Sequence, residues 1–395
     1  MTQETDIIIV GAGPAGLSLA RSLADSGLRI AQIEALPQET LANPPFDGRE
    51  IALTHPSKKI MEQLGLWERV PPAEIFQLRE ATVLNADSPF RLHFPRPSQN
   101  SRGEPIDTLG YLISNHHIRR AAYEAALTQD NISWYYGRRV VASRADEASA
   151  GVTLDDGTVI RGRLLVAADS RFSSVRRARG IPAETHEFGR NVIVFRLKHT
   201  LPHAHTASEC FFYGSTLALL PLSEHLTNCV ITIDSGRAPE ILALSPADLA
   251  EFVARELNYR FGDMELVSTV HDYPLVGVHA RRFYATRTAL VGDAACGMHP
   301  VTAHGFNLGL ASADILAGLI VQAAASGQDI ADTKLLEKYE AKHILHTRAL
   351  YHGTNFVVKL FTNETPPAKL LRNTVLRLSN HLPPVKKLIT KQLTG

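Results

Sequence analysis

The residues with the clearest chemical purpose are the glycines of Gly11-Ala12-Gly13-Pro14-Ala15-Gly16, which follow a short apolar run. At this spacing Gly11 permits a tight turn, Gly13 lets backbone approach a pyrophosphate, and Gly16 lets a helix pack close to the preceding strand. The helix start at Ala15 and Gly16 offers N–H groups and a partial positive charge to phosphates. Glu34, eighteen residues beyond Gly16, is placed to accept hydrogen bonds from ribose hydroxyls. The pattern predicts a bound dinucleotide. By itself it does not separate FAD from NAD.

A second group lies far downstream. Thr288–Ala295 is an apolar stretch broken by Gly292-Asp293, and a loop from Cys296 leads through His304-Gly305-Phe306-Asn307 into an Ala/Leu-rich helix over 311–325. Asp293 suits a ribityl or ribose hydroxyl, and the helix start can aim its dipole at the electron-rich end of an isoalloxazine ring. That favours FAD. The plainer alternative is a turn with an aspartate cap. His304 is the ionisable side chain nearest the helix start. It either helps a phenol lose its proton or is a loop histidine bonded to backbone.

No triad, carboxylate pair or metal cluster emerges. His116-His117, His203 with His205, and His343 with His346 lack matched acids and read as surface or helix-face residues. Cys210, Cys229 and Cys296 are odd in number and far apart, which fits a reducing compartment with neither disulfide nor zinc. If the chain is an enzyme, a cofactor must carry the hard chemistry.

The elements that must hold these residues follow from hydrophobic pattern. Asp6–Val10 and Leu28–Ile33 read as strands around a helix at 17–24, one βαβ unit stopped at Gly27. Residues 186–282 alternate as strands do, and Pro246 after Ser245 opens a helix over 246–258. The stretch 85–106, rich in Pro, Ser, Asn and Arg, reads as a surface loop.

At 395 residues the chain exceeds one typical core, so two lobes around a shared cofactor are expected. A net charge of +1 gives no field for nucleic acid. No basic leader and no apolar run of bilayer length stand out, so a cytoplasmic α/β enzyme is expected. The segment 365–395 carries Lys369, Arg372, Arg377, Lys386, Lys387 and Lys391 with no acid, among regularly spaced leucines. It reads either as an element that docks on an anionic membrane or an acidic partner, or as helices packed on the cofactor domain.

The pairing of the N-terminal GAGPAG with the distal GDAA…HPVTAHGFNLGL resembles the group A flavin-dependent aromatic hydroxylases, and among them the ubiquinone-biosynthesis (UbiH/UbiM-like) branch. Asp47-Gly48-Arg49-Glu50-Ile51-Ala52-Leu53, Leu109-Gly110-Tyr111 and Leu217–Leu222 extend the likeness. The resemblance implies a glutathione-reductase-like FAD-binding domain with a Rossmann βαβ unit, an inserted mixed β-sheet substrate domain, and C-terminal helices. The implied boundaries are 1–84, 107–180 and 283–330 for FAD, 85–106 and 181–282 for substrate, and 331–395 for the helical region. It places Arg49 close to the flavin, Ser114 at an FAD-binding position, and Pro300, Gly305, Phe306 and Asn307 along the ring. Asp169 matches an Asp-Gly motif that serves both FAD and nicotinamide, but Ser170 stands where the glycine is usual, and a positive φ is less comfortable there. Cys296 replaces a usual histidine and reads as a packing residue.

The implied activity is hydroxylation of a polyprenylated phenol through a flavin hydroperoxide. FAD is the resident cofactor, NAD(P)H a transient reductant, since only one GxGxxG occurs, and dioxygen the co-substrate. Two other readings remain open: a same-fold FAD dehydrogenase or reductase of an isoprenoid, and a subunit that holds FAD without catalysis.

Overall fold

The computed structural model describes residues 2–85, 91–100, 103–212, 214–298 and 304–362. In chain order the elements that matter begin with β1 (Ile7–Val10), α1 (Pro14–Ser22), β2 (Ile30–Glu34), β3 (Glu50–Leu53) and β4 (Phe76–Leu78). They continue with β5 (Glu80–Asn85), β6 (Arg91–Phe94), β7 (Gly110–Ser114), α2 (Asn115–Ala126), β8 (Ile132–Tyr136), β9 (Leu164–Ala167) and α3 (Ser174–Ala178). Next come β10 (Ala183–His199), β11 (Thr206–Phe211), β12 (Ser215–Pro221), β13 (Leu226–Asp234), α4 (Pro246–Glu256) and β14 (His271–Ala280). The last are β15 (Tyr284–Ala285), β16 (Thr288–Leu290), β17 (Cys296–Gly297), α5 (Gly305–Ala325) and α6 (Thr333–Thr362).

The first lobe is a six-stranded sheet in the order β15-β16-β9-β1-β2-β8, parallel except for the short β15 edge. Every residue of β1 and β9 is buried, as expected of central parallel strands covered on both faces. The helix after β1 starts at Pro14, three residues before the expected 17, because proline's fixed φ suits the first helical position.

The second lobe is a nine-stranded sheet whose main path runs β17-β14-β10-β13-β12-β11-β5-β6. It is mixed, as expected: β5 runs parallel to β11 while the other pairs along this path are antiparallel. Two segments enter it against expectation, one expected in the FAD domain and one as a surface loop of the substrate domain. β5 crosses the boundary drawn at residue 84, and β6 lies inside the stretch 85–106. Hydrophobic alternation in Arg91–Phe94, with Leu92 and Phe94 buried, outweighs the Pro- and Ser-rich surroundings. α4 packs on one face of the sheet through Leu249, Ala250 and Val253, with Ser245 capping it by accepting the Asp248 amide.

α5 starts at Gly305, earlier than the expected 311, and runs 21 residues. It also corrects the expectation that no segment has bilayer length: α5 is long and apolar enough to cross a membrane, with Asp314 its one charge. Here it is a core helix, with Leu308, Leu310, Leu316, Leu319 and Ile320 buried in the first lobe. α6 lays His343 and Tyr339 into the same lobe, so His343, like His203, is buried and not a surface histidine. Residues 365–395 lie outside the described residues.

Candidate flavin site

The glycine loop is built by close approach. Gly11 has φ +107°, and a Cβ there would stand 2.3 Å from the Ala168 carbonyl oxygen. A Cβ on Gly16 would stand 2.1 Å from the Gly11 oxygen. Both are required by the protein's own backbone. Gly13 differs, because a Cβ there would meet no protein atom within 4 Å. The space it would fill lies over the start of α1, where no side chain caps the helix and Pro14 has no N–H. The amides of Ala15 and Gly16 are thus left for an anion. Glu34 braces the loop, its Oε2 accepting the Ala12 amide (2.7 Å) and its Oε1 the Leu36 amide (2.8 Å).

Asp293 does not cap a helix. Its Oδ2 accepts from Arg171 Nη2 at 3.2 Å, and Arg171 Nη1 also reaches the Val276 carbonyl on β14. Asp169 Oδ2 accepts the amides of Ser174 and Val175, so it caps α3. Between them Ser170 keeps a φ of +77°: the glycine-like turn is made even without the glycine. Cys296 is buried against β14, and burial pushes its thiol up to about 12, in keeping with a packing residue.

Arg49 is half-exposed and forms a two-pronged pair with Asp47 (3.0 and 2.5 Å), its guanidinium 5.5 Å from the Tyr273 ring. Burial alone would raise the Asp47 carboxyl, but Arg49's hydrogen bonds and charge, with Asn115 Nδ2 donating, hold it below the usual range. Tyr273 donates to the Asp47 carbonyl at 2.7 Å, tying the second lobe to this loop.

Ser114 is fully buried, and its hydroxyl is committed. It donates to Glu50, whose carboxylate also takes Arg196 Nη2 at 2.6 Å, and Arg196 donates to the Ser114 oxygen. Glu50 is 0% exposed and Arg196 17%. Burial raises the Glu50 carboxyl against the opposing pull of Arg196. This link joins β3 and β7 to β10 and thus one lobe to the other. His116 stands beside it, held to about 4 by burial and by the charges of His117 and Arg196.

Asn307 pins the start of α5, donating to the Ala52 carbonyl (2.8 Å) and accepting the Thr54 amide (3.1 Å). Phe306 packs on the apolar cluster under α2, and His304 precedes the helix. Pro300 lies outside the described residues. Arg171, Tyr273, Glu50 and Arg196 were not among the expected site residues. The available signals were a charge in the otherwise apolar β3 (Glu50-Ile51-Ala52-Leu53) and another in the run Val192–Leu197.

The family model described as FAD binding domain matches residues 4–354. The chain belongs to that family. It is 58% identical to the ubiquinone hydroxylase UbiM of Neisseria meningitidis over all of this chain and 86% of that protein. It is 32% identical to the ubiquinone hydroxylase UbiL of Rhodospirillum rubrum, over 99% of this chain and 89% of that one. Among solved structures it is similar to the p-nitrophenol 4-monooxygenase PnpA of Pseudomonas putida, with a TM-score of 0.77 at 16% identity, covering 100% and 99% of the two chains. This member of the FAD-binding family is an FAD-dependent monooxygenase, an aromatic hydroxylase.

The residues present fit the cofactor. The open space at Gly13 and the uncapped start of α1 suit the pyrophosphate, and Glu34 ends β2 beside that loop. Among the described residues no group of three His, Cys, Asp or Glu could hold a metal ion.

Proposed function

We propose that this chain hydroxylates the ring of a polyprenylated phenol on the route to ubiquinone. The observation that supports the reading best is that two unlike surfaces both meet the segment 47–54. One is the glycine loop with the start of α5. The other is the inner face of the nine-stranded sheet, lined by Val192, Val194, Val230 and Leu275 and tied to the Asp47–Arg49 loop through Tyr273. An apolar patch beside a flavin loop suits a hydrophobic ring and helps keep water from the reacting atoms.

When bound, FAD supplies the redox and oxygen-activating chemistry; the protein's residues bind, orient and exclude water. The balance is one phenol, one dioxygen, one NAD(P)H and one proton giving a catechol-type product, NAD(P)⁺ and water. In this reading Gly13, Ala15 and Gly16 carry the phosphates and Glu34 a ribose. Asp169 and Asp293 serve the cofactor through the backbone turns they fix, Arg49 stands by the ring, and Asn307 with Phe306 holds α5 in place. The enzyme works in the cytoplasm with the basic segment 365–395 resting on an anionic membrane, where a polyprenyl tail resides.

The test is a reaction of FAD-loaded protein with NAD(P)H, isotopically labelled dioxygen and a short-chain prenyl phenol. One labelled oxygen atom in the product, with matching reductant consumption, is expected. Reductant consumption without labelled product points to a dehydrogenase or reductase, and neither points to a subunit that only holds FAD. For the terminal segment, co-sedimentation with anionic vesicles is expected at low salt and lost at high salt. Protein that stays in the supernatant at low salt removes the membrane part of the reading.

A further inference from the structure

One acidic side chain of the second lobe is placed where a structural protein would not put it. Glu209 lies on β11, paired with Val83 on β5 and with Ala218 on β12. Ala218 pairs with Val230 and Val230 with Val194, so these residues form one row across the sheet. Alternation sets the face. Cys210, the next residue, packs among Leu249 and Val253 beneath α4 on the other side. Ala207 and Phe211, which share the Glu209 face, pack with Leu78, Leu92 and Phe94.

The row ends at the flavin side. Val194 stands against the Asp47–Arg49 loop, where a Cβ on Gly48 would be 2.7 Å from Val194 Cγ2. Three strand spacings separate Val194 from Glu209, about 14 Å at the usual interstrand distance. That length is comparable to a substituted ring with the start of an isoprenoid tail.

The other deep carboxylate of this interface, Glu50, has Arg196 and Ser114. Glu209 has no hydrogen-bond or ion-pair partner among the described residues. It is half-buried, so part of its side chain stays open to solvent. Burial raises its carboxyl to about 8, toward the protonated form that can both donate and accept. A buried polar group without a partner costs free energy, and a ligand that pairs it recovers that cost.

We propose that Glu209 is the polar anchor of the substrate site, hydrogen-bonding the oxygen substituent of the substrate ring at the far end of the aliphatic row that starts at Val194. This rests on the hydroxylase reading for the identity of the ligand as an oxygenated arene. The occupant is a neutral phenol, its ring along Ala218, Val230 and Val194 and its oxygen at the carboxyl.

The experiment measures binding without turnover. FAD-loaded wild type, Glu209→Gln and Glu209→Leu are titrated anaerobically, without reductant, with a geranyl-substituted phenol and with the same arene lacking the hydroxyl. Flavin absorbance changes or calorimetry read the affinity. Wild type is expected to prefer the phenol by about tenfold or more, the usual effect of leaving a buried polar group unmatched. Glu209→Leu should lose that preference while retaining full FAD and undiminished thermal stability. Glu209→Gln, which still donates and accepts, should keep most of it. The proposal is overturned if wild type shows no preference, or if Glu209→Leu keeps it. Hydroxyl-dependent binding by wild type with no labelled product in the oxygen experiment would sink the hydroxylase reading and leave the anchor standing.

Discussion

At the scale of single residues, the three glycines of the loop divide by what they face. Gly11 and Gly16 face their own backbone, whereas Gly13 faces space. Gly13→Val should therefore fold with little change in the stability of cofactor-free protein, yet purify without yellow colour. Gly16→Val should lose several kcal/mol through a backbone clash and fail to accumulate. Flavin content by absorbance and denaturation midpoints separate the two; stoichiometric FAD in Gly13→Val would refute the phosphate role. Ser170 gives a second test. A serine at φ +77° costs about 1 kcal/mol, which glycine would relieve while giving back a similar amount in chain entropy. Ser170→Gly should be neutral within about 1 kcal/mol, and Ser170→Val destabilising by about 2 kcal/mol in urea titrations. The glycine loop and the position of Asp293 were legible in sequence because a local run of residues specifies them. The partners that fix the site were not, because they are long-range pairs. Arg171 meets Asp293 across 122 residues, Arg196 meets Glu50 across 146, and Tyr273 meets the Asp47 carbonyl across 226.

At the scale of elements, hydrophobic period located β1, β2 and α4 well, since each buries one face or both against a neighbour it does not need to name. It misjudged the ends of α1 and α5, where proline and glycine set the first turn, and it missed β5 and β6, whose alternation is short and flanked by loop-type residues. α6 carries a pH-sensitive contact. His343 on α6 and His279 on β14 are buried among Phe283, Tyr339 and Tyr351, and His279 Nε2 lies 3.2 Å from the Thr347 hydroxyl. Burial holds both imidazoles at about 4, below the ordinary 6.5. Because the folded value is the lower one, the unfolded chain binds more protons between the two values. Stability is fully present above pH 6.5 and falls as pH drops through 4. His343→Phe should flatten the decline in melting temperature over that window, and a decline of wild-type steepness in this variant would remove the histidine from the account.

At the scale of the whole molecule, a buried ion pair is among the contacts that join the two lobes. Arg196→Met leaves the Glu50 carboxyl buried without its cation and should destabilise the protein by about 3 kcal/mol. Glu50→Gln combined with Arg196→Met should recover part of that loss. Chemical denaturation followed by flavin release and by far-UV signal would show whether the lobes then part in separate transitions; unchanged midpoints would mean the link is dispensable. The long core helix has a consequence for how the protein is made. α1 ends at residue 22 and α5, which packs beside it, begins at 305. A ribosome adding about 5–20 residues per second needs roughly 15–60 s to supply the second after the first. For that interval the nucleotide cradle exists without its lid of α5 and without β16 at its edge, so cofactor capture belongs after synthesis and not during it. An apolar helix that could pass for a membrane span then emerges late, when the groove that will hide it is already waiting.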